Sequence, residues 1–282
     1  MWPYRSLLFI PGIRPEWAKK ATKYQPDAVI LDLEDAVPPD RKAEAREYVR
    51  SVIPAVRSAA PNLGIFVRVN GTETGLLEED LGQVVVPGLT GILLPKVSSR
   101  DDVLRLDGLL TYLERREGLQ LGSTEIIVLP ETAEGIRNLY DIVRGTPRVA
   151  ATFGVISGTF GGDVAAAVGF RPTRDGLEQV YMNSKVVLDS RAAGVRYPVV
   201  GLIGTPIEAL DQVRSVARRA RALGYRGAAV IHPSHVAIAN EVFQPTDEEI
   251  DWATRLIEAV NTGHEQGVGA IRFEGYMVDP AM

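Results

Sequence analysis

Val29-Ile30-Leu31-Asp32-Leu33-Glu34-Asp35 is an apolar run of strand length that ends in three carboxylates. The same design recurs along the chain. Ile65-Phe66-Val67 runs into Arg68-Val69-Asn70-Gly71, and Ile92-Leu93-Leu94 meets Pro95-Lys96. Ile126-Ile127-Val128-Leu129 meets Pro130-Glu131-Thr132, and Ala229-Val230-Ile231 meets His232-Pro233. A purely structural strand has no use for a polar cluster at its carboxyl end in one segment after another. A ring of parallel strands whose active site lies at that end does.

Outward from these runs, strand-length segments alternate with longer segments of helical period, the pattern of βα units around a parallel sheet. Strands are expected near 5–10, 27–33, 64–69, 90–95, 125–130, 148–154, 198–203 and 227–231. Helices are expected near 14–22, 40–58, 75–84, 99–117, 133–144, 174–193, 206–223 and 234–242. Asp40 is placed to cap the second helix, Pro206 to open the seventh and Gly224 to close it. This many units in about 240 residues is the usual size of a (β/α)8 TIM barrel. The competing architecture, a doubly wound open sheet, usually carries a GxGxxG turn after its first strand. Pro11-Gly12-Ile13-Arg14-Pro15 lacks that spacing.

Past Phe243 the composition changes. Thr246-Asp247-Glu248-Glu249-Ile250 reads as a capping box that opens an amphipathic helix to about Thr262. A Gly-rich, irregular stretch follows, with a short hairpin around Phe273-Glu274-Gly275-Tyr276-Met277. The division predicted is a barrel over 1–243 and a small appendage over 244–282.

With 45% hydrophobic and 24% charged residues, the chain of 282 has the makeup of a globular protein rather than a disordered one. A net charge of −5 without a dense basic block points away from nucleic acid. The absence of cysteine excludes disulfides, thiolate catalysis and Cys-ligated zinc. No apolar run approaches the ~20 residues of a membrane helix, and the N-terminus fits no signal peptide. A cytoplasmic enzyme is expected.

Glu131 and Asp163 are the foremost candidates for chemistry, each following a strand-like run and sitting beside small residues. Two carboxylates plus waters are how proteins commonly hold Mg²⁺. The alternative is a pair of exposed acids at helix starts, where carboxylates are favourable in any case. Arg68 ends an apolar strand, so its planar fork either grips a substrate carboxylate or pairs with Asp32, Glu34 or Asp35. Lys96 and Arg5 carry the same two readings. His232 is a candidate base or ligand, although a packed, hydrogen-bonded histidine is the commoner outcome. Ser234 and His235 are expected to cap and face the next helix. No G-x-S-x-G elbow is present.

Taken together, these segments resemble the citrate lyase β-subunit-like acyl-CoA lyases of the HpcH/HpaI aldolase superfamily, most closely the malyl-CoA and citramalyl-CoA lyases. The matching runs are Arg5-Ser6-Leu7-Leu8-Phe9-Ile10-Pro11-Gly12, Leu31-Asp32-Leu33-Glu34-Asp35-Ala36-Val37, Val67-Arg68-Val69-Asn70-Gly71 and Leu94-Pro95-Lys96-Val97. Glu131-Thr132-Ala133-Glu134-Gly135, Asp163 and Ile231-His232-Pro233 continue the series. The resemblance implies a homotrimer or homohexamer that binds Mg²⁺ through Glu131 and Asp163. It implies an acyl-CoA and an α-keto acid as partners, with Arg68 holding the substrate and Arg5 and Lys96 assisting. Gly269-Ala270 through Asp279 resembles the family's C-terminal lid, and Asp279 matches an aspartate that acts as acid/base in a neighbouring subunit. Three motifs depart from the common pattern: Phe160-Gly161-Gly162-Asp163 for FGxxD, Tyr181-Met182-Asn183 for YAR, and His232-Pro233-Ser234-His235 for HPxQ. The activity implied is carbon–carbon cleavage of a 3-hydroxyacyl-CoA, or the reverse condensation. A malyl-CoA thioesterase, a CoA-independent metal aldolase and a catalytically idle scaffold barrel are the alternatives.

Overall fold

The computed structural model describes residues 2–14, 16–158, 160–203 and 207–280. Eight parallel strands close into a barrel in chain order. They are β1 (Ser6–Pro11), β2 (Ala28–Asp32), β3 (Gly64–Arg68), β4 (Gly91–Leu94), β5 (Glu125–Val128), β6 (Val149–Ser157), β7 (Val199–Ile203) and β8 (Gly227–Val230). Pairing of β1 with β8 completes the ring. The helices α1 (Glu16–Ala21), α2 (Lys42–Ala59), α3 (Leu77–Val84), α4 (Arg100–Arg116) and α5 (Ala133–Val143) connect the first six strands. Then come α6 (Gly162–Val168), α7 (Val180–Ala192), α8 (Leu210–Leu223) and α9 (Val236–Val242). The TIM barrel expected from the alternating runs is what forms.

Both faces of each strand are buried, which is why the runs read as continuous hydrophobics rather than alternating ones. Period-2 geometry still sorts them. Leu7, Ile30, Phe66, Leu93, Ile127, Phe153, Val199 and Ala229, one from each strand, belong to the interior cluster. Their neighbours in β2, Val29 and Leu31, instead belong to the cluster that includes Val49 and Ile53 of α2. A filled interior leaves no pore, so function is confined to the ends.

Several local expectations need correction. Asp40 does not cap α2: Pro39 opens a 3-10 turn over Pro39–Arg41 that takes up Asp40, and α2 begins at Lys42 without a side-chain cap. Strand β6 extends to Ser157, beyond the expected 154, and a short helix, α6, follows it unannounced. The helix expected from 174 starts only at Val180, after Gly176 turns the chain at φ 62°. Pro206 lies outside the described residues, and α8 begins at Leu210. Gly224 does close α8, at φ 106°.

The structure divides into two compact units, Met1–Phe243 and Gln244–Met282. In the second, the Thr246–Glu249 capping box opens α10 (Asp247–Glu265). A hairpin of β9 (Ile271–Phe273) and β10 (Tyr276–Val278) follows. Its turn, Glu274-Gly275, has positive φ at both residues, the requirement of a tight hairpin. Arg255 of α10 pairs with Glu274 at 2.6 Å, fastening helix to hairpin. Half-buried Asp279 follows β10 directly. Among the described residues no helix is long and apolar enough to cross a membrane.

Candidate active site

The register of β2 on β3 sets Asp32 opposite Arg68. The two side chains meet as a fork on a fork, Nε to Oδ1 at 2.7 Å and Nη2 to Oδ2 at 2.6 Å. Asp32 also accepts the backbone N–H of Glu34 at 2.9 Å, so it shapes the acidic loop while it holds the guanidinium. Arg68 Nη1 lies 2.8 Å from Glu34 Oε2 and 3.4 Å from Asp35. Burial opposes the Arg68 charge, but the three carboxylates outweigh it and raise the guanidinium pKa further. The salt-bridge reading of Arg68 is therefore realised, and its side chain also lines a cavity at the carboxyl ends of the strands.

Lys96 bridges the acidic loop to Asp163: its Nζ is 2.8 Å from Glu34 Oε1 and 3.4 Å from Asp163 Oδ2. Burial works to lower its pKa, yet the carboxylates around it raise it. Its backbone sits at φ 53° without being glycine. Such strain persists only where the surroundings over-determine it, and it clusters at functional sites.

Glu131 immediately precedes the cap of α5. Thr132 accepts the backbone N–H of Gly135 at 2.9 Å and contacts Ser98 Oγ at 2.9 Å. A Cβ on Gly135 would lie 2.0 Å from the Val97 carbonyl, so only glycine lets α5 close onto the loop carrying Lys96. This explains the last residue of the Glu131–Gly135 motif. Glu131 is buried and its Oε2 has no hydrogen-bond partner. Burial above all, then the charges of Glu34 and Asp163, push its pKa up to about 8, against the opposing pull of Arg68 and Lys96. Asp163 stands in the first turn of α6, reached through Gly161 and Gly162 at φ 77° and 79°. Its side chain is 50% exposed.

Glu131, Arg68, Asp32 and Asp35 line a cavity of about 390 Å³ at the carboxyl ends of the strands, together with Phe9, Leu129, Phe153, Val155 and Ile231. The Arg68 guanidinium lies over the Phe9 ring, 5.1 Å from its centroid. Arg5 is elsewhere. It precedes β1 and pairs with Asp27, which precedes β2, through Nη2 at 2.8 Å and Nε at 2.9 Å. The pair borders a depression of about 1030 Å³ at the amino end of the barrel. The expectation that Arg5 helps hold substrate is corrected by strand direction: a residue entering a parallel strand stands at the end away from the site. His232 caps its own turn, its Nδ1 2.7 Å from Ser234 Oγ. His235 is buried against the Ile207 carbonyl at 3.1 Å.

Sequence reasoning missed the supports beneath the site. Lys42 Nζ donates to the carbonyls of Leu33 and Glu34, at 2.6 and 2.7 Å, and to Asn70 Oδ1 at 2.8 Å. Asn70 in turn donates from its backbone and side chain to buried Asp80, which Arg46 holds at 2.6 Å. These residues tie the β2 and β3 loops together. The only sequence signal was Asn70 within the Arg68–Gly71 motif.

A buried carboxylate oxygen without a donor, beside two further carboxylates, is a fit for a cation. The oxygen donors suit a hard ion such as Mg²⁺, which keeps several waters. Among the described residues no group of three or more His, Asp or Glu side chains gathers as a metal holder, so such an ion would complete its shell with water and substrate. Fold and site together define a (β/α)8 barrel with an acidic centre at its carboxyl end.

The chain belongs to the HpcH/HpaI aldolase/citrate lyase family, whose model matches residues 5–233. It is 36% identical to the citrate lyase subunit beta-like protein of Deinococcus radiodurans, over 99% of this chain and 93% of that one. It is 33% identical to the L-malyl-CoA/beta-methylmalyl-CoA lyase of Cereibacter sphaeroides, over 99% and 91%. Among solved structures, it is similar to CitE from Mycobacterium tuberculosis in complex with magnesium, acetoacetate and coenzyme A. That match has a TM-score of 0.75 and 27% identity, covering 98% of this chain and 92% of the other.

Proposed function

We propose that this chain is a Mg²⁺-dependent lyase that cleaves a 3-hydroxyacyl-CoA of the malyl-CoA or citramalyl-CoA type. The products are an acyl-CoA and an α-keto acid, and the reverse condensation uses the same site. The observation that carries the reading is Glu131: a buried, partnerless carboxylate in a cavity that also presents Arg68. Glu131 and Asp163 would hold the ion. When bound, Mg²⁺ lowers the pKa of a coordinated hydroxyl and stabilises charge on the departing keto acid.

The chain's own residues do the rest. Arg68, immobilised by Asp32 and lining the cavity, meets the substrate carboxylate and fixes its orientation. Lys96 holds the acidic loop and Asp163 near each other. The apolar wall formed by Phe9 and Phe153 excludes water from the breaking bond. The hydroxyl would give its proton to solvent water, the carbon–carbon bond would break to leave the keto carbonyl, and the acyl-CoA, departing as an enolate, would have to gain a proton at carbon. Asp279 is the proposed acid/base, acting at the site of a neighbouring subunit in a homotrimer or homohexamer. The likeness of the Gly269–Asp279 segment to the lid of malyl-CoA and citramalyl-CoA lyases supports that role.

Mass spectrometry of the purified protein with Mg²⁺ and a panel of 3-hydroxyacyl-CoA thioesters tests the proposal. Paired appearance of a shorter acyl-CoA and a keto acid is expected, and Glu131→Ala should abolish it. Release of free CoA with the intact hydroxy acid would identify a thioesterase instead.

A further inference from the structure

We infer that a second cavity, between the carboxyl end of β6, the turn before α7 and helix α8, binds a tetrahedral oxyanion of the phosphate class. It measures about 210 Å³ and shares no lining residue with the cavity of Arg68 and Glu131. Its polar side chains are Ser157, Thr173, Arg174, Gln212 and Arg219, and no acidic residue is among the described lining. In a chain of net charge −5, two guanidinium groups thus border one cavity with no carboxylate between them. Like charges brought together in this way favour an anion.

Arg219 is held in place by the turn. Its Nη1 donates to the Asp175 carbonyl, a neutral acceptor that leaves the charge uncompensated. A Cβ at Gly176 would lie 2.9 Å from both Nη1 and Nη2, so glycine makes room for the guanidinium as well as turning the chain. Arg174 is exposed and has no ion-pair partner among the described residues. Glu178, on the same turn, is taken up by the Thr173 N–H and hydroxyl at 2.9 and 2.6 Å and by Gln179 Nε2 at 3.0 Å. Ser157 adds a third donor. Gln179 satisfies both its backbone groups, at 2.7 and 3.1 Å, yet its Oγ is buried without a partner. A bound acceptor removes that cost. Guanidinium forks match phosphate oxygens bidentately. A tetrahedral oxyanion also presents oxygens in several directions, which suits donors that come from three separate segments.

Calorimetric titration of the full chain with inorganic phosphate, in the absence of Mg²⁺, tests the inference without reference to turnover. Saturable binding with a Kd of about 1 mM or tighter is expected. Arg174→Ala and Arg219→Ala should each weaken it by roughly tenfold or more, and Ser157→Ala by less. Arg174 is exposed, so its replacement leaves a folded protein to measure even if Arg219→Ala does not. A parallel titration with glycerol 3-phosphate separates the two sources of such an anion. Tighter binding of the ester identifies a phosphorylated small molecule, tighter binding of inorganic phosphate the free ion, and either supports the site. Binding of neither, or binding that the arginine variants leave unchanged, overturns it. Loss of phosphate binding in Arg68→Ala with retention in Arg174→Ala would place the anion in the candidate active site and overturn it as well.

Discussion

Arg68 and Asp32 are register partners at the ends of adjacent strands and bidentate partners through their side chains, at 2.6 and 2.7 Å. Backbone pairing thus delivers the geometry that the ion pair needs. The guanidinium is fixed by a strand neighbour before any ligand arrives. Asp32 simultaneously fixes the loop of Glu34 and Asp35, so the polar ends of β2 and β3 behave as one unit.

Arg68→Lys should be nearly as damaging as Arg68→Ala. An ammonium cannot reproduce the fork on Asp32 while also reaching a substrate carboxylate. Keto-acid affinity in the presence of Mg²⁺ should fall by roughly tenfold or more in both variants. Recovery of most of that affinity by lysine would reduce Arg68 to a point charge.

Glu131 sets a pH dependence with a definite sign. Its carboxyl is raised to about 8 in the metal-free fold, whereas unfolding returns it to its ordinary value near 4.5. The fold therefore favours the protonated form. Its contribution is fully present below pH 4.5 and is lost as pH rises through about 8, an effect on the order of a few kcal/mol. Mg²⁺ binds the ionised form, so the rise in melting temperature with Mg²⁺ should be larger at pH 8.5 than at pH 6. Glu131→Gln should remove this difference. An equal Mg²⁺ shift at both values in the unaltered protein would count against the assignment.

The strand ends were legible because a parallel barrel places every strand's last residues on one rim, so Asp32, Arg68, Lys96 and Glu131 were recognisable by position alone. Arg5 was assigned by motif although it precedes its strand, and that order alone puts it on the other rim. Helix α6 was missed because it is short and opens at Gly161 and Gly162, whose positive φ turns the chain. The Lys42–Asn70–Asp80–Arg46 supports come from α2, α3 and the loop after β3, elements whose approach depends on tertiary packing. No local pattern announces such a meeting.

At the opposite rim, Arg148 holds Glu114 of α4 with both terminal nitrogens, at 2.7 and 2.8 Å. Burial would raise the Glu114 pKa, but Arg148 and the backbone N–H groups of Thr124 and Gly122 outweigh it and hold it at about 2. Arg148→Ala leaves a buried carboxylate without its charge partner and should destabilise the fold by about 3–5 kcal/mol. Urea denaturation measures this. Mg²⁺ affinity of the folded variant should be unchanged, because the pair lies at the amino ends of the strands.

Asp279→Ala should preserve assembly and Mg²⁺ binding while slowing turnover by about a hundred- to ten-thousand-fold, the range of a lost acid/base. Mixing Asp279→Ala with Arg68→Ala and allowing subunit exchange should restore some activity, since mixed oligomers would contain some intact sites. Activity that stays at zero despite proven exchange would rule out service across subunits.

The central claim is that Glu131 and Asp163 hold a divalent cation at the carboxyl rim of the barrel. Calorimetric titration of Mg²⁺ into the unaltered protein, Glu131→Ala and Asp163→Ala, each with pyruvate present, tests it most directly. One saturable site per chain is expected in the unaltered protein, with affinity lost by roughly tenfold or more in each folded variant, because removing one of two anionic ligands leaves too little charge to compete with water. Unchanged Mg²⁺ binding in either variant would contradict the account.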